Sequence, residues 1–239
     1  MKRVLVTGGA GDIGAAICRR LASDGWHVIV HGHAHRARAE ALVAELLKNG
    51  ASAESCAFDV TDFRACEEQL AALLARGVLQ GIVHNAGMHD DAPMAGMTHE
   101  QWDSVIAVSL GGFFNVVRPA LLPMLGTRWG RIVAVSSIAG LMGNRGQANY
   151  AAAKSGLHGA VKSLAVECAA RGVTVNAVAP GIIDTPATRA SFDDERVKQL
   201  VPMKRRGDPR EVAALIAFLL GEDAAYVSGQ IISINGAMA

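Results

Sequence analysis

The sequence predicts a single α/β domain over residues 1–239: a doubly wound parallel sheet of about seven strands with helices on both faces. Three observations carry this expectation. Short β-branched runs alternate with longer amphipathic stretches along the whole chain. Those runs are almost continuously apolar, as strands covered on both faces must be. A glycine-rich turn, Thr7-Gly8-Gly9-Ala10-Gly11-Asp12-Ile13-Gly14, lies directly between the first apolar run and a helical stretch. At 239 residues, 51% of them hydrophobic, the chain can bury one sizeable core.

The elements follow in order. Val4–Val6 reads as the first strand and Val28–Val30 as the second. Ala37–Asn49 is a helix with Gly50 at its C-cap, and Ser52–Phe58 is a weaker strand. Asp62–Ala75 is helical, Ile82–Val83 is the fourth strand, and Leu110–Leu125 lies in a long helix before the fifth strand, Ile132–Val135. Tyr150–Ala170 forms a second long helix, Gly172 caps it, and Val173–Val178 follows as a strand. Pro209 opens a helix to Leu220, and Ile231–Ile234 closes the sheet. Successive β-α-β units require right-handed crossovers and hence one parallel sheet. The least regular stretch, residues 184–208, carries Pro186, Pro202 and many charges. Ligands bind beyond the carboxyl ends of strands, so this stretch is expected to be a flexible substrate flap, with an ordinary surface loop as the alternative.

Composition excludes several classes. Lys and Arg total 23 against 22 acids, a net charge of +1, which offers no basic footprint for nucleic acid. Cys18, Cys56, Cys66 and Cys168 lack metal-ligand or C-x-x-C spacing and suit reduced, buried thiols. The apolar run after Lys2-Arg3 breaks at Thr7-Gly8-Gly9, too early for a signal peptide, and no membrane-spanning run is read elsewhere. A cytoplasmic protein is the expectation. His31, His33 and His35 alternate without an adjacent carboxylate, so no metal site is expected.

Two constellations carry chemistry. A glycine-rich turn between strand and helix lets backbone N–H groups approach a pyrophosphate at the helix N-terminus. The second strand ends in His31-Gly32-His33-Ala34-His35-Arg36, with no acid until Glu40. Dinucleotide enzymes often place an acid there for the ribose 2′-hydroxyl; histidine and arginine suit a 2′-phosphate instead, hence NADP(H). A solvated basic helix start is the competing reading. The second constellation is Ser137 at the end of the fifth strand with Tyr150 and Lys154 at i and i+4 on one helical face. A phenol is a poor acid–base group near neutrality until a neighbouring cation favours the phenolate.

On these residues, together with Asp59-Val60, Asn85-Ala86-Gly87 and Pro180-Gly181, the sequence resembles the short-chain dehydrogenases/reductases over essentially its full length. Met142–Leu157, Arg171–Gly181 and Ile234-Asn235-Gly236 look like the bacterial 3-oxoacyl-acyl-carrier-protein reductases. The resemblance implies a Rossmann-type fold and NADPH-dependent reduction of a ketone, in fatty-acid or related polyene/polyketide synthesis. It also implies a homotetramer joined through the long helices. Tyr150 would protonate the carbonyl oxygen, Ser137 would hydrogen-bond it, and Lys154 would lower the Tyr150 pKa and hold the nicotinamide ribose. Gly8, Gly11, Asp12, Ile13, Gly14, His33, Asp59, Val60, Asn85, Ala86, Gly87, Pro180, Gly181, Ile183 and Thr185 would line the cofactor. Arg128 and Arg171 match basic positions that meet the acidic carrier protein; two exposed arginines are the alternative. The chain departs from the family twice. Asp12 replaces the middle glycine of T-G-x-x-x-G-x-G, leaving Gly8, Gly11 and Gly14 in the extended-branch spacing, with Asp12 expected to point away. Gly11 also stands where many NADPH-using relatives carry a basic residue. Ser109 replaces an asparagine that supports a helix kink and a water of the proton relay. Two other readings stay open: a reductase or dehydrogenase of a free ketone or alcohol, and a weakly active or non-catalytic subunit of a hetero-oligomer.

Overall fold

The computed structural model describes residues 1–239 and contains one seven-stranded sheet, every strand parallel to its neighbours. The strands are β1 (Arg3–Thr7), β2 (His27–His31), β3 (Ser52–Cys56), β4 (Gly81–His84), β5 (Gly130–Val135), β6 (Val173–Pro180) and β7 (Ile231–Ile234). Their spatial order, β3-β2-β1-β4-β5-β6-β7, reverses direction between β1 and β4. Such a reversal opens a crevice at the carboxyl ends of those two strands. The central strands are buried along their whole length, whereas β3, at the edge, is only partly buried. That edge position explains its weaker sequence signal.

Helices cover both faces. On one side lie α1 (Asp12–Ser23), α2 (Arg36–Lys48) and α10 (Pro209–Leu220), around a core that includes Ile17, Leu21, Leu42 and Ile216. On the other lie α3 (Phe63–Leu74), α4 (His99–Ile106), α5 (Gly112–Gly126) and α7 (Ala148–Cys168), closing on Leu70, Val116, Met124, Leu157 and Val161. The expected helices appear with shifted ends, and the caps explain where they start. The Asp62 side chain accepts from Ala65 N–H, so α3 begins one residue later than the pattern suggests. Asp208 and Pro209 open α10 with a capping box. Gly50 and Gly172 take positive φ (79° and 69°) where helices end.

Two features differ from the sequence expectation. The stretch 184–208, read as irregular, contains α8 (Pro186–Ser191) and α9 (Asp194–Leu200). Thr185 and Asp193 cap them, a signal masked by the prolines and charges around it. The continuous helical run His99–Gly126 is long and apolar enough to cross a membrane by composition, with mean hydropathy 1.7, although no spanning run was read there. Its apolar face packs under the sheet through Val116, Ala120 and Met124. A four-residue α6 (Ala139–Met142) lies between β5 and α7.

The turn after β1 is sterically closed. A Cβ on Gly14 would lie 2.2 Å from Gly8 O, 2.8 Å from Gly9 Cα and 2.9 Å from Asn85 Nδ2. Backbone cannot yield as a side-chain tip does. Gly14→Ala should therefore cost about 2 kcal/mol and lower the melting midpoint by about 5 °C, read by thermal denaturation. An unchanged midpoint would mean that the turn is not packed this way.

Candidate active site

The crevice between β1 and β4 is fixed by one hydroxyl. Thr7 Oγ1 accepts from Asn85 N–H and Ala86 N–H, both at 3.0 Å, and Asn85 Nδ2 donates to Gly8 O at 3.0 Å. These bonds hold the glycine turn against Asn85-Ala86-Gly87. His31 holds it from the other side: Gly8 N–H donates to His31 Nδ1 at 3.1 Å, and Nε2 bonds to Phe58 O at 2.8 Å. Burial lowers the His31 pKa, so a neutral ring serves as acceptor and donor at once. In the sequence His31 stood out only through its alternation with His33 and His35; its partners, Gly8 N–H and Phe58 O, come from other segments and left no local signal.

The turn is suited to a pyrophosphate. Gly11 is the N-cap of α1 in extended backbone and provides no side-chain cap, so the first-turn N–H groups have no competing side-chain acceptor. Asp12 opens the helix with its carboxylate turned to Arg38, whose Nη2 lies 3.3 Å from Oδ1. This ion pair draws the negative charge to the side. Asp12 therefore does not oppose an anion at Gly11. Near the end of β2, His33 is exposed with Nε2 3.8 Å from Asp59 Oδ2, and Asp59 Oδ1 accepts from both Thr61 N–H and Thr61 Oγ1 at 2.8 Å. Val60 is buried, and its carbonyl accepts from Asn115 Nδ2 at 2.9 Å.

A cavity of about 220 Å³ continues from this turn. Ile13, Asn85, Gly87, Ser137, Tyr150, Lys154, Pro180, Gly181, Ile183 and Thr185 line it, together with Met88, His89 and Thr188. Most residues expected at a nicotinamide and its reacting partner thus share one space. The expected adenosine-side residues, His33, Asp59 and Val60, lie apart from it at the carboxyl ends of β2 and β3.

Three side chains in the cavity are chemically matched. Burial raises the Tyr150 pKa, its hydrogen bond with Ser137 pulls it down, and the nearby Asp91 carboxylate raises it. Lys154 is buried, donates to Val135 O at 2.9 Å, and lies with Nζ 5.5 Å from the Tyr150 ring centroid. With no carboxylate beside it, desolvation brings its pKa from 10.5 down to about 8. The Ser137 hydroxyl also accepts from Ala139 N–H at 3.1 Å, which fixes its direction at the start of α6.

A further residue seats Tyr150. Asn149 is fully buried; its Nδ2 donates to Asp90 O (2.9 Å) and Gln101 O (2.8 Å), and its Oδ1 accepts from Tyr150 N–H (2.8 Å). It ties the first turn of α7 to the loop after β4. Only tertiary contacts reveal this, since all three partners are backbone groups. Ser109 is buried inside a π-helical turn, Ala107–Gly111, between α4 and α5. Its backbone carbonyl accepts from His84 Nε2 at 2.9 Å, and its Oγ has no partner. The two remaining candidates lie elsewhere. Arg128 and Arg171 are exposed at the amino ends of β5 and β6, with Arg128 Nη2 donating to Ala170 O at 3.3 Å. This is the sheet edge opposite the cavity.

Comparison with known proteins agrees with this geometry. A family model described as enoyl-(acyl carrier protein) reductase matches residues 8–238. The chain is 43% identical to the 3-oxoacyl-acyl-carrier-protein reductase of Aggregatibacter actinomycetemcomitans, covering 98% of each. It is 41% identical to the protein of the same name from Escherichia coli K12, over 99% of this chain and 97% of that one. Nodulation protein G of Azospirillum brasilense is 40% identical over 99% and 98%. With the glycine turn, the Ser137–Tyr150–Lys154 cavity and end-to-end similarity all in agreement, the chain belongs to the short-chain dehydrogenase/reductase family of nicotinamide-dependent oxidoreductases.

Proposed function

We propose that this protein reduces the ketone of a 3-oxoacyl thioester carried on acyl carrier protein, with NADPH as reductant. The observation that carries the reading is the convergence of Tyr150, Ser137 and a buried, carboxylate-free Lys154 on one cavity. Two hydroxyls directed at one oxygen stabilise the charge that develops there as a ketone is reduced. Ketone reduction ends with a proton on that oxygen, whereas reduction of an enoyl double bond ends with it on carbon. The relatives that match end to end and carry ketone-reductase names favour the same choice. NADPH supplies the hydride when bound.

The chain's own residues do the rest. Tyr150 gives its proton to the substrate oxygen, and Ser137 donates a hydrogen bond to it. The Lys154 ammonium favours the phenolate left behind and keeps two N–H donors after its bond to Val135 O. Gly8, Gly11, Ile13 and Gly14 receive the pyrophosphate, and Asn85, Ala86 and Gly87 face its middle. His33, Asp59 and Val60 meet the adenosine end; Pro180, Gly181, Ile183 and Thr185 meet the nicotinamide. The absence of an acid at the end of β2, with Arg36 and Arg38 beginning α2, favours a 2′-phosphate and so NADPH over NADH. Ser109 offers its free hydroxyl beside Lys154 in place of the family's asparagine. The whole chain acts as one domain, with the stretch 184–208 as its substrate flap.

Carrier docking by Arg128 and Arg171 has a geometric consequence. Helix α7, of 21 residues, separates Tyr150 near its first turn from Arg171 beyond its last, about 30 Å. A second copy packed antiparallel on α7 would return Arg171 to the neighbouring cavity. Exposed Leu122 on α5 and Val166 on α7 supply apolar surface for that contact. A cytoplasmic homotetramer of this kind fits the reading.

Acetoacetyl-acyl-carrier-protein should oxidise NADPH faster than NADH, and Tyr150→Phe should lower kcat by about a thousandfold with the fold intact. Near-normal turnover by that variant would remove the assignment. Arg128→Glu/Arg171→Glu should lose carrier-linked activity while a free ketone analogue still reacts; equal rates with both substrates would end the docking proposal. The buried Lys154 gives a pH signature. In the free enzyme, kcat/KM should fall as pH rises through about 8 and the ammonium is lost. Its folded pKa lies below the unfolded value, so the unfolded chain binds more protons between about 8 and 10.5. This group's contribution to stability should therefore rise with pH across that window, measured by denaturant titration.

A further inference from the structure

One buried polar chain at the crevice takes no part in the chemistry described above. His84 ends β4 and is fully buried. Its Nδ1 lies 3.2 Å from Thr7 Oγ1, and its Nε2 lies 2.9 Å from Ser109 O. The Thr7 oxygen already accepts two backbone N–H groups, so its single proton goes to His84 Nδ1. Nδ1 is then an acceptor, and Nε2 carries the proton donated to the Ser109 carbonyl. One neutral tautomer satisfies every partner. Burial, reinforced by the Lys154 charge, pushes the His84 pKa down to about 3, so the ring stays neutral through the ordinary range.

The accepting end is the only π turn in the chain. The widened turn breaks the regular hydrogen-bond ladder, which leaves its register open to an outside partner. His84 is that partner. A Cβ placed on Gly87 would lie 3.0 Å from Lys154 Nζ and 3.6 Å from Ser109 Oγ, so these two groups face one small space. The ring is closed in from its other sides: the edge-on Phe113 has its centroid 5.7 Å away, and a Cβ on Gly112 would meet His84 Cε1 at 3.3 Å.

We propose that His84 is a positioning residue for the reduction: its Nε2–H bond to the Ser109 carbonyl sets the register of the π turn and so the polar wall against which Lys154 sits. The proposal rests on the ketone-reductase reading of the same cavity. It differs from a general packing role in requiring one particular hydrogen bond.

Two substitutions divide that bond from its neighbour. The terminal nitrogen of a glutamine stands where imidazole Nε2 stands, and the amide oxygen of an asparagine stands where Nδ1 stands. His84→Gln therefore keeps the Ser109 bond, and His84→Asn keeps only the Thr7 bond. With His84→Asn, kcat should fall about tenfold while the NADPH dissociation constant, from fluorescence titration, stays within about twofold. His84→Gln should keep kcat within about threefold of the parent. A parental kcat in His84→Asn, or an equal loss in both variants, would overturn the proposal. If His84→Asn does not fold, nitrogen-15 NMR of histidine-labelled parent enzyme decides: a neutral Nε2–H ring is expected from about pH 8 to about pH 5. An Nδ1–H or protonated ring there would overturn it equally. Failure of the parent enzyme to reduce the carrier-bound ketone would count against the functional reading, while the tautomer would still report on His84.

Discussion

The Thr7 hydroxyl is the interaction on which the carboxyl edge of this sheet depends. Strand order reverses between β1 and β4, and nothing in the parallel ladder fixes the two loops leaving those strands. Thr7 Oγ1 fixes them by accepting from Asn85 N–H and Ala86 N–H and facing His84 Nδ1. A hydroxyl has two lone pairs and one proton, so all its capacity is used. The glycine turn, the Asn85–Gly87 segment and the π turn are thereby held in mutual register.

Two buried histidines extend this hub in opposite directions. His31 receives Gly8 N–H from the turn, and His84 carries the bond on to Ser109. Both have pKa values lowered by burial, so both act as neutral rings that accept on one side and donate on the other. A charged ring could not accept from either partner. The low-dielectric interior thus selects the protonation state that the scaffold needs.

The same desolvation shapes the reacting groups. Lys154 loses hydration without gaining a carboxylate, which leaves its ammonium weakly held and brings its pKa to about 8. Burial moves Tyr150 the other way, to a more tightly held phenolic proton: the expected lowering by Lys154 is not what sets this pKa, which lies above the ordinary phenol value because the ring is desolvated. Asp91 adds to the upward shift, and Ser137 opposes it. These opposing effects keep Tyr150 a proton donor until charge develops on the oxygen it faces.

Much of this was legible in the chain itself. Apolar β-branched runs dictated six of the seven strands, the edge strand β3 giving only a weak signal, and alternation with amphipathic helices dictated parallel order, because burial on both faces leaves a local signature. The glycine turn was equally legible, since backbone packs so closely on Gly14 that any Cβ there would collide with Gly8 O. Tyr150 and Lys154 were readable as a pair because helical spacing puts i and i+4 on one face. The roles of His31, His84 and Asn149 were not readable. Each bonds to backbone atoms or to side chains 23 to 77 positions away, and no local pattern encodes such a partner. The direction of Asp12 was expected, but its pairing with Arg38, 26 residues on, comes only from packing α2 against α1. The opposite placement of Arg128 and Arg171 follows from strand polarity once the sheet forms. Periodicity and backbone sterics are local and were fixed by sequence; partner, protonation state and relative placement arise from long-range contacts, and those the tertiary structure decided.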